Sequence, residues 1–449
     1  TGGSGGSPDH RHHDPHHGGS TGPVRWLQGE GAGGCRRGGG FEAHGGIPGD
    51  PQQGPRDAHG PGLPQPGAAT SEGLLLKGFE VELFTGRPDG TNVGVASEVA
   101  RDLSDFVTEP DHRNLEYITP PISAYEALPE ALLQPRRRLR EWLAPRGLTL
   151  LPGSTLSLGD SSRFERSDPT NPYHDLIETT YGTKVVTASI HINLGITDLD
   201  WLFAAVRLVR CEAALLLSLS ASSPFLGGQL TGHHSQRWHQ FPLTPQQVPL
   251  FLDHSHYTQW VEQRLADGQM RNERHLWTSV RPNGPRRPYD LNRLELRICD
   301  LITDPAELLA ITALLELRLL ELRDDPQRLD PLQASELSAE ELAELADSND
   351  AAAARSSLEA TLQHWQDGRA VTGRAWIAEI LEQLSPRAEA LGLSERLQPL
   401  GRLLESGNQA MRWTAAIEQG CSIGDLLRQG SCAMKDQEES VAPLSGALG

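Results

Sequence analysis

No stretch of this 449-residue chain offers about twenty uninterrupted apolar residues, the length a membrane-spanning helix needs. The most apolar segment, Leu199–Leu219, contains Asp200, Arg207, Arg210 and Glu212. It reads as a buried amphipathic helix, and no membrane partner is expected. Basic residues are also in short supply. Lys and Arg total 40 against 59 Asp and Glu, a formal net charge of −19. Binding to nucleic acid or to an anionic membrane draws on a Lys/Arg excess, so neither partner is expected. Cysteine is sparse and scattered. Cys35, Cys211, Cys299, Cys421 and Cys432 are odd in number and lack CxxC spacing. A disulfide framework and a zinc site are not expected, and a reducing, cytoplasmic setting is. The first residues have no apolar run of the signal-peptide kind. The phosphate-binding patterns GxxxxGK(S/T) and GxGxxG after a strand are missing, as are GxSxG and HExxH. Any ATP would be held by metal ions and cations, without a glycine-rich cradle.

What is present is unevenly spread. Residues 1–72 hold 21 of the 46 glycines, 9 of the 32 prolines and 7 of the 17 histidines. This segment shows no apolar periodicity and is expected to be disordered. Its cluster His10, His12, His13, His16 and His17 reads either as a weak transition-metal site or as a solvated low-complexity tail. From Leu74 the character changes. Residues 73–304 alternate short strand-like segments with helices and form the expected catalytic core. Residues 305–435 read as helices of the same catalytic unit, and 436–449 as a frayed tail. Helical spacing is expected over Ala306–Arg323, Ser338–Ala346, Ala351–Gln366, Gly373–Leu384 and Glu395–Leu404. Ser338 opens its helix with a Ser-Ala-Glu-Glu start signal.

Four segments share one strand design, because alternate residues of a strand face the same way. In Leu76–Phe84, Phe79, Val81 and Leu83 oppose Glu80 and Glu82. In Arg113–Thr119, Leu115 and Tyr117 oppose Asn114 and Glu116. In Ser189–Ile196, Ile190, Ile192 and Leu194 oppose His191 and Asn193. In Leu294–Leu301, Leu294, Leu296 and Ile298 oppose Glu295, Arg297 and Cys299. One reading is an antiparallel sheet with a solvated face. The other is a carboxylate-lined platform. Glu80, Glu82, Glu116 and Glu295 on one sheet would repel one another without a counter-ion. Mg²⁺ takes oxygen ligands and completes its shell with water and substrate phosphates. His191 is either a nitrogen ligand or a structural hydrogen-bonding group.

These segments resemble glutamate–cysteine ligases. The resemblance is carried in order by Phe79-Glu80-Val81-Glu82, Arg113-Asn114-Leu115-Glu116-Tyr117-Ile118-Thr119-Pro120, Tyr181-Gly182-Thr183-Lys184, Ser189-Ile190-His191-Ile192-Asn193, and Leu294-Glu295-Leu296-Arg297 with Asp300. Residues 151–160 and 167–174 resemble the cyanobacterial-type branch of that family. The likeness runs from about Gly73 to about Cys432. It implies an α+β, glutamine-synthetase-like fold: a curved antiparallel sheet with a metal-lined polar face, flanked by helices. The implied activity is ATP-dependent joining of the L-glutamate γ-carboxyl to the L-cysteine amino group through γ-glutamyl phosphate, the first step of glutathione biosynthesis.

The resemblance implies two or three Mg²⁺ held by Glu80, Glu82, Glu109, Glu116, His191 and Glu295. It implies catalytic roles for Arg297 and Glu82, with Arg297 facing the transferred phosphoryl group. The bland alternative for Arg297 is an ion pair with a neighbouring Glu. Lys184 and Asn193 are candidate nucleotide contacts, and Lys184 lies in a stretch that varies among branches. Arg237 and Arg287 are candidates for a substrate carboxylate. Arg287 sits in the basic stretch Arg281–Pro288, which reads either as a closing loop or as a solvated one. Cys299 is an oxidation-sensitive thiol or a small packing residue. The segment 218–228 resembles related carboxylate–amine ligases as much as cysteine-specific ones. A ligase for another amine and an inert metal-binding homologue therefore stand as alternatives.

Overall fold

The structure, a computed structural model, describes residues 73–441. The segment 1–72, with its histidine cluster and Cys35, lies outside the described residues, as do residues 442–449. Seven strands form one sheet: β1 (Lys77–Gly86), β2 (Phe106–Thr108), β3 (Asn114–Ile118), β4 (Thr149–Leu151), β5 (Ile190–Gly195), β6 (Val280–Asn283) and β7 (Arg293–Leu296). Their order is β2-β3-β1-β5-β7-β6, and each pairing is antiparallel. The ten-residue β1 pairs β3 along one edge. Along the other it pairs β5 through residues 77–81 and β4 through residues 84–86. Phe79, Val81, Leu83, Leu115, Tyr117, Ile190, Ile192, Leu194, Leu294 and Leu296 are all buried. The period-two alternation thus gives the sheet one apolar face.

Helices pack behind that face and around one another, among them α1 (Leu128–Leu143), α3 (Leu199–Ser220), α4 (Pro305–Asp324), α5 (Ala339–Ser356), α6 (Gly373–Ala390) and α7 (Ile423–Ser440), while α2 (Pro172–Tyr181) is set apart beside the site described below. The Tyr117 hydroxyl donates to the Leu132 carbonyl at 2.6 Å, which ties β3 to α1. Lys77 of β1 and Tyr125 both donate to Glu316 of α4, at 2.9 and 2.6 Å. Of the charges that interrupt the apolar run of α3, Asp200 in the first turn is exposed, while Arg207, Arg210 and Glu212 are buried and paired. Arg207 meets Asp330 at 2.7 Å, Arg210 meets Asp347 at 2.9 Å, and Glu212 meets Arg318 at 2.6 Å. No helix among the described residues is long and apolar enough to cross a membrane. Asp198 caps α3, Asp304 caps α4 ahead of Pro305, and Ser338 with Glu341 forms a capping box on α5.

Three expectations are corrected. The helix expected over Ala351–Gln366 is the end of α5 followed by an antiparallel ribbon, β8 (Thr361–Gln363) with β9 (Ala370–Thr372). Ser357 takes a φ of 46° and stops the helix. The Asn349 side chain then exchanges two 2.8 Å hydrogen bonds with the Gln363 backbone. The tail expected from residue 436 is helical to Ser440. Its Glu438 is buried and accepts from Arg136 and Arg140 of α1. The strand expected over Leu294–Leu301 ends at Leu296, because the Arg297 and Ile298 carbonyls turn to accept from Arg237 at 2.8 Å each. Cys299 consequently leaves the polar face. It is fully buried, with its Sγ 4.0 Å from the Leu216 carbonyl, and burial pushes its thiol up to about 12.

Candidate active site

The register builds a polar row across the sheet. Glu82 of β1 lies opposite Glu116 of β3, and Glu80 lies opposite His191 of β5. Asn193 lies opposite Glu295 of β7, which in turn lies opposite Arg281 of β6. Glu109 directly follows β2. Its backbone is pinned by the segment at residue 167, where the Ser167 hydroxyl donates to the Glu109 carbonyl and the Ser167 amide to that of Pro110. The strand ladder therefore turns local alternation into a shared surface.

The structure places the six residues expected as metal ligands in two groups: Glu82, Glu109 and Glu116, and Glu80, His191 and Glu295. Within each group, one ligand atom per residue lies within 4.8 Å of the others. The first group is a set of like charges. Burial, and then the Glu82 charge, push the Glu109 carboxyl up to about 8. Burial, and then Glu109, push Glu116 well above the usual carboxylate range. Glu116 Oε1 is buried without a hydrogen-bond partner. Only Glu82 is well served, its Oε2 accepting from the Ser189 amide at 2.8 Å and hydroxyl at 3.0 Å. Three carboxylates and an orphaned buried oxygen are a donor set that fits a hard divalent cation.

In the second group the charge is already met. His191 Nδ1 is hydrogen-bonded to Glu80 at 2.9 Å and lies 3.5 Å from Glu295. Glu295 is fully buried, and its Oε2 accepts from Arg281 at 2.9 Å and from Asn283 at 2.6 Å. Its Oε1 accepts from Arg297 at 2.7 Å and from Arg281 at 3.3 Å. Burial alone would raise the Glu295 carboxyl, but Arg281, Arg297, His191 and Arg287 outweigh it and hold it well below the usual range.

The remaining expected residues divide. Arg297 both pairs with Glu295 and lines a cleft of about 180 Å³ beside the first carboxylate group. Arg237 lines the same cleft. Its Nη atoms are occupied by the 297 and 298 carbonyls, while its Nε is buried and unpartnered. Asn193 is buried on the polar face and accepts from Arg293 at 3.2 Å, away from the cleft wall. Lys184 is exposed on the single turn Gly182–Val185 and does not line the cleft. Arg287 also lies outside the cleft wall, with Nη1 buried and unpartnered and its charge bearing on Glu295. The basic stretch expected as a loop begins in the edge strand β6, so Arg281 is a buried partner of Glu295.

Two parts of the site escaped the sequence reading. Arg281 and Asn283 alternate with Val280 and Pro282, but a proline argues against a strand except at a sheet edge, which is where β6 lies. The cleft lining also includes a set of apolar residues, Tyr173, Ile177, Trp238, Phe241 and Trp277, with the Arg237 guanidinium 5.8 and 6.0 Å from the Trp238 and Phe241 ring centroids. Tyr173 and Ile177 lie one turn apart on α2, whose first turn is capped by Asn171. Trp277 is braced by Tyr181, Phe241 and His275, with ring centroids 5.1, 5.5 and 4.5 Å away. The Tyr181 hydroxyl is hydrogen-bonded to His275 at 2.9 Å, and burial pulls His275 down to about 4. These residues come from separate segments and show no local pattern.

Comparison with known proteins bears on this surface. The model of glutamate-cysteine ligase family 2 matches residues 76–432. A Rubrobacter xylanophilus protein provisionally named glutamate–cysteine ligase 2-1 is 26% identical over 340 residues, 74% of this chain and 85% of its own. A Sorangium cellulosum protein provisionally named glutamate–cysteine ligase 2 is 29% identical over 253 residues, and the match spans 55% of this chain and 64% of that relative. Among solved structures, the Francisella tularensis glutamate–cysteine ligase in complex with AMP shares the fold with a TM-score of 0.65 at 12% identity. That likeness covers 83% of this chain and 90% of the other. The Pasteurella multocida bifunctional glutathione synthetase gives a TM-score of 0.61 at 18% identity, covering 81% of this chain and 53% of its own. The family match takes in the whole sheet, both carboxylate groups and the cleft, and the chain belongs to glutamate-cysteine ligase family 2.

Proposed function

We propose that this protein is an ATP-dependent carboxylate–amine ligase that joins the γ-carboxyl of L-glutamate to an amino group. The cysteine ligation of the resemblance, and with it the first step of glutathione biosynthesis, is the starting form of that reading. The observation that carries it is the convergence of two groups of potential metal ligands, five residues on the polar sheet face and Glu109 just after β2, beside a cleft of amino-acid size flanked by Arg297 and Arg237. A carboxylate is a poor electrophile. Its γ-oxygen attacks the terminal phosphorus of ATP and ADP leaves. The amine nitrogen then attacks the acyl carbon and phosphate departs. Such transfers depend mainly on positioning and on charge neutralisation.

Glu82, Glu109 and Glu116 would hold one Mg²⁺, and Glu80, His191 and Glu295 a second, which would supply charge neutralisation to the ATP phosphates. Arg297, fixed by Glu295, offers its remaining donors to the moving phosphoryl oxygens. Arg237 offers its free Nε to a substrate carboxylate. Arg287 and Asn193 face the Glu295 end and are the proposed contacts for anionic groups there. Lys184 would reach a nucleotide only from outside the cleft.

The test is phosphate release from MgATP and L-glutamate with single amines added in turn. Release that needs both glutamate and an amine, with a γ-glutamyl product by mass spectrometry, is expected. Release independent of glutamate, or none with any amine, would contradict the reading.

A further inference from the structure

Asp300 is fully buried, does not line the cleft, and takes no part in the chemistry above. Its backbone pairs with that of Ser189 in an antiparallel bridge, which fixes it to the sheet just beyond β7. Both carboxylate oxygens are occupied. Oδ2 accepts from the Ser222 amide at 2.9 Å and from the Ser223 hydroxyl at 2.7 Å. Oδ1 accepts from the Ser235 hydroxyl at 2.8 Å and lies 3.5 Å from Arg237 Nη1. We infer that Asp300 is the positioning residue for glutamate binding: it holds Arg237, backbone and guanidinium, in the cleft wall and acts on the substrate carboxylate only through that arginine. The inference rests on the ligase reading above and adds a residue that governs glutamate binding without touching glutamate.

Two serine hydroxyls transmit the hold. A hydroxyl has one proton to donate and lone pairs with which to accept. Ser223 gives its proton to Asp300 and accepts from the Arg237 amide at 3.1 Å. Ser235 gives its proton to Asp300 and accepts from the Trp238 amide at 3.1 Å. The carboxylate therefore sets the direction of both hydroxyls, and the hydroxyls fix the backbone of two adjacent residues of the cleft wall. Ser235 is also the N-cap of the single-turn helix Gln236–Gln240 that carries both side chains. The guanidinium is held from the same segment. Its Nη1 and Nη2 donate to the Ile298 and Arg297 carbonyls at 2.8 Å each. Burial pulls Arg237 down, and the Asp300 charge is the strongest opposing influence. What is left over is Nε, a buried donor without a partner, whose desolvation a bound carboxylate oxygen would offset. Asp300→Asn replaces one acceptor oxygen with an NH₂ donor. Ser223 or Ser235 must then turn its hydroxyl to accept, and the Arg237 or Trp238 amide loses its acceptor.

The experiment measures phosphate release from MgATP and L-glutamate, with the amine that gives the fastest release by the wild type. Asp300→Asn is expected to raise the KM for glutamate about tenfold or more, with the KM for ATP within about twofold of wild type. Asp330→Asn is the control. It removes the countercharge of buried Arg207, and should lower the unfolding midpoint without moving the glutamate KM. Arg237→Lys keeps a charge beside Asp300 but has no Nε donor, so it raises the glutamate KM by itself. Adding Asp300→Asn to Arg237→Lys should change that KM by less than about twofold further. Should Asp300→Asn not fold, Ser223→Ala reads the same coupling: about a threefold rise in glutamate KM in the wild type and none in Arg237→Lys. An unchanged glutamate KM, an equal rise in both KM values, or full additivity with Arg237→Lys would overturn the inference and leave the ligase reading intact. Wild-type phosphate release that does not need glutamate would overturn both.

Discussion

The two carboxylate groups on the sheet face differ in how their charge is met. Glu295 is surrounded before any ligand arrives: Arg281, Arg297 and Asn283 take both of its oxygens, and His191 bridges towards Glu80. Glu82, Glu109 and Glu116 form a group of like charges, with Arg297 and Arg237 acting on it only from the cleft side, and Glu116 has a buried oxygen with no partner. One group is built to be stable on its own. The other carries a repulsion that only protonation or a bound cation relieves. Equally acidic positions on one sheet thus do unlike work. The Glu295 group anchors Arg297, and the Glu82 group is where a divalent ion changes the most.

The sharpest way to break this comparison is to remove a partner from each side. Arg281→Met leaves Glu295 buried with half its support gone, so the unfolding free energy should fall by about 3–5 kcal/mol in denaturant melts. Glu116→Gln should instead leave the metal-free protein as stable as before or more so, because it removes a repelling charge. Next in size is chemistry. Glu82→Gln should lower kcat/KM by about a hundredfold or more with an unchanged circular dichroism spectrum.

The third prediction concerns pH. Glu109 has a folded value raised to about 8 from an ordinary 4.5, so the folded protein binds the extra proton between them. Metal-free stability should therefore decline as pH rises from about 4.5 to about 8, and Mg²⁺ should flatten that decline. Glu295 is shifted the opposite way. Its contribution is present above its ordinary value of 4.5 and is lost on acidification through its lower folded value. Urea midpoints against pH, with and without Mg²⁺, separate the two limbs, and Glu109→Gln should shrink the upper one, to which the raised Glu116 also contributes, while leaving the lower one in place. The smallest effect belongs to Ser189→Ala, which takes one of two hydrogen bonds from Glu82. A loss of about 1 kcal/mol in transition-state stabilisation, or roughly fivefold in kcat/KM, is expected.

Much of the sheet face can be read from alternation alone. Glu80 and Glu82, His191 and Asn193, and Glu295 each sit between apolar residues, and the period of two gives their shared direction. Register cannot be read that way, and register is what sets Glu82 opposite Glu116 and Glu295 opposite Arg281. Arg281 was hidden because Pro282 disguises an edge strand. Lys184 looked like a site residue by its motif, yet its short turn directs it to solvent. The aromatic wall was invisible for a different reason. Tyr173, Phe241 and Trp277 meet only through tertiary packing. The end of α7 reads as a polar tail until Arg136 and Arg140, about 300 positions earlier, bury Glu438.

The central claim is that this face activates a carboxylate by phosphorylating it. Oxygen-18 placed in the γ-carboxyl of L-glutamate tests it directly. If γ-glutamyl phosphate forms and the amine displaces phosphate, one labelled oxygen must leave with the inorganic phosphate. Singly labelled phosphate is expected in step with γ-glutamyl product. Unlabelled phosphate alongside that product would contradict it.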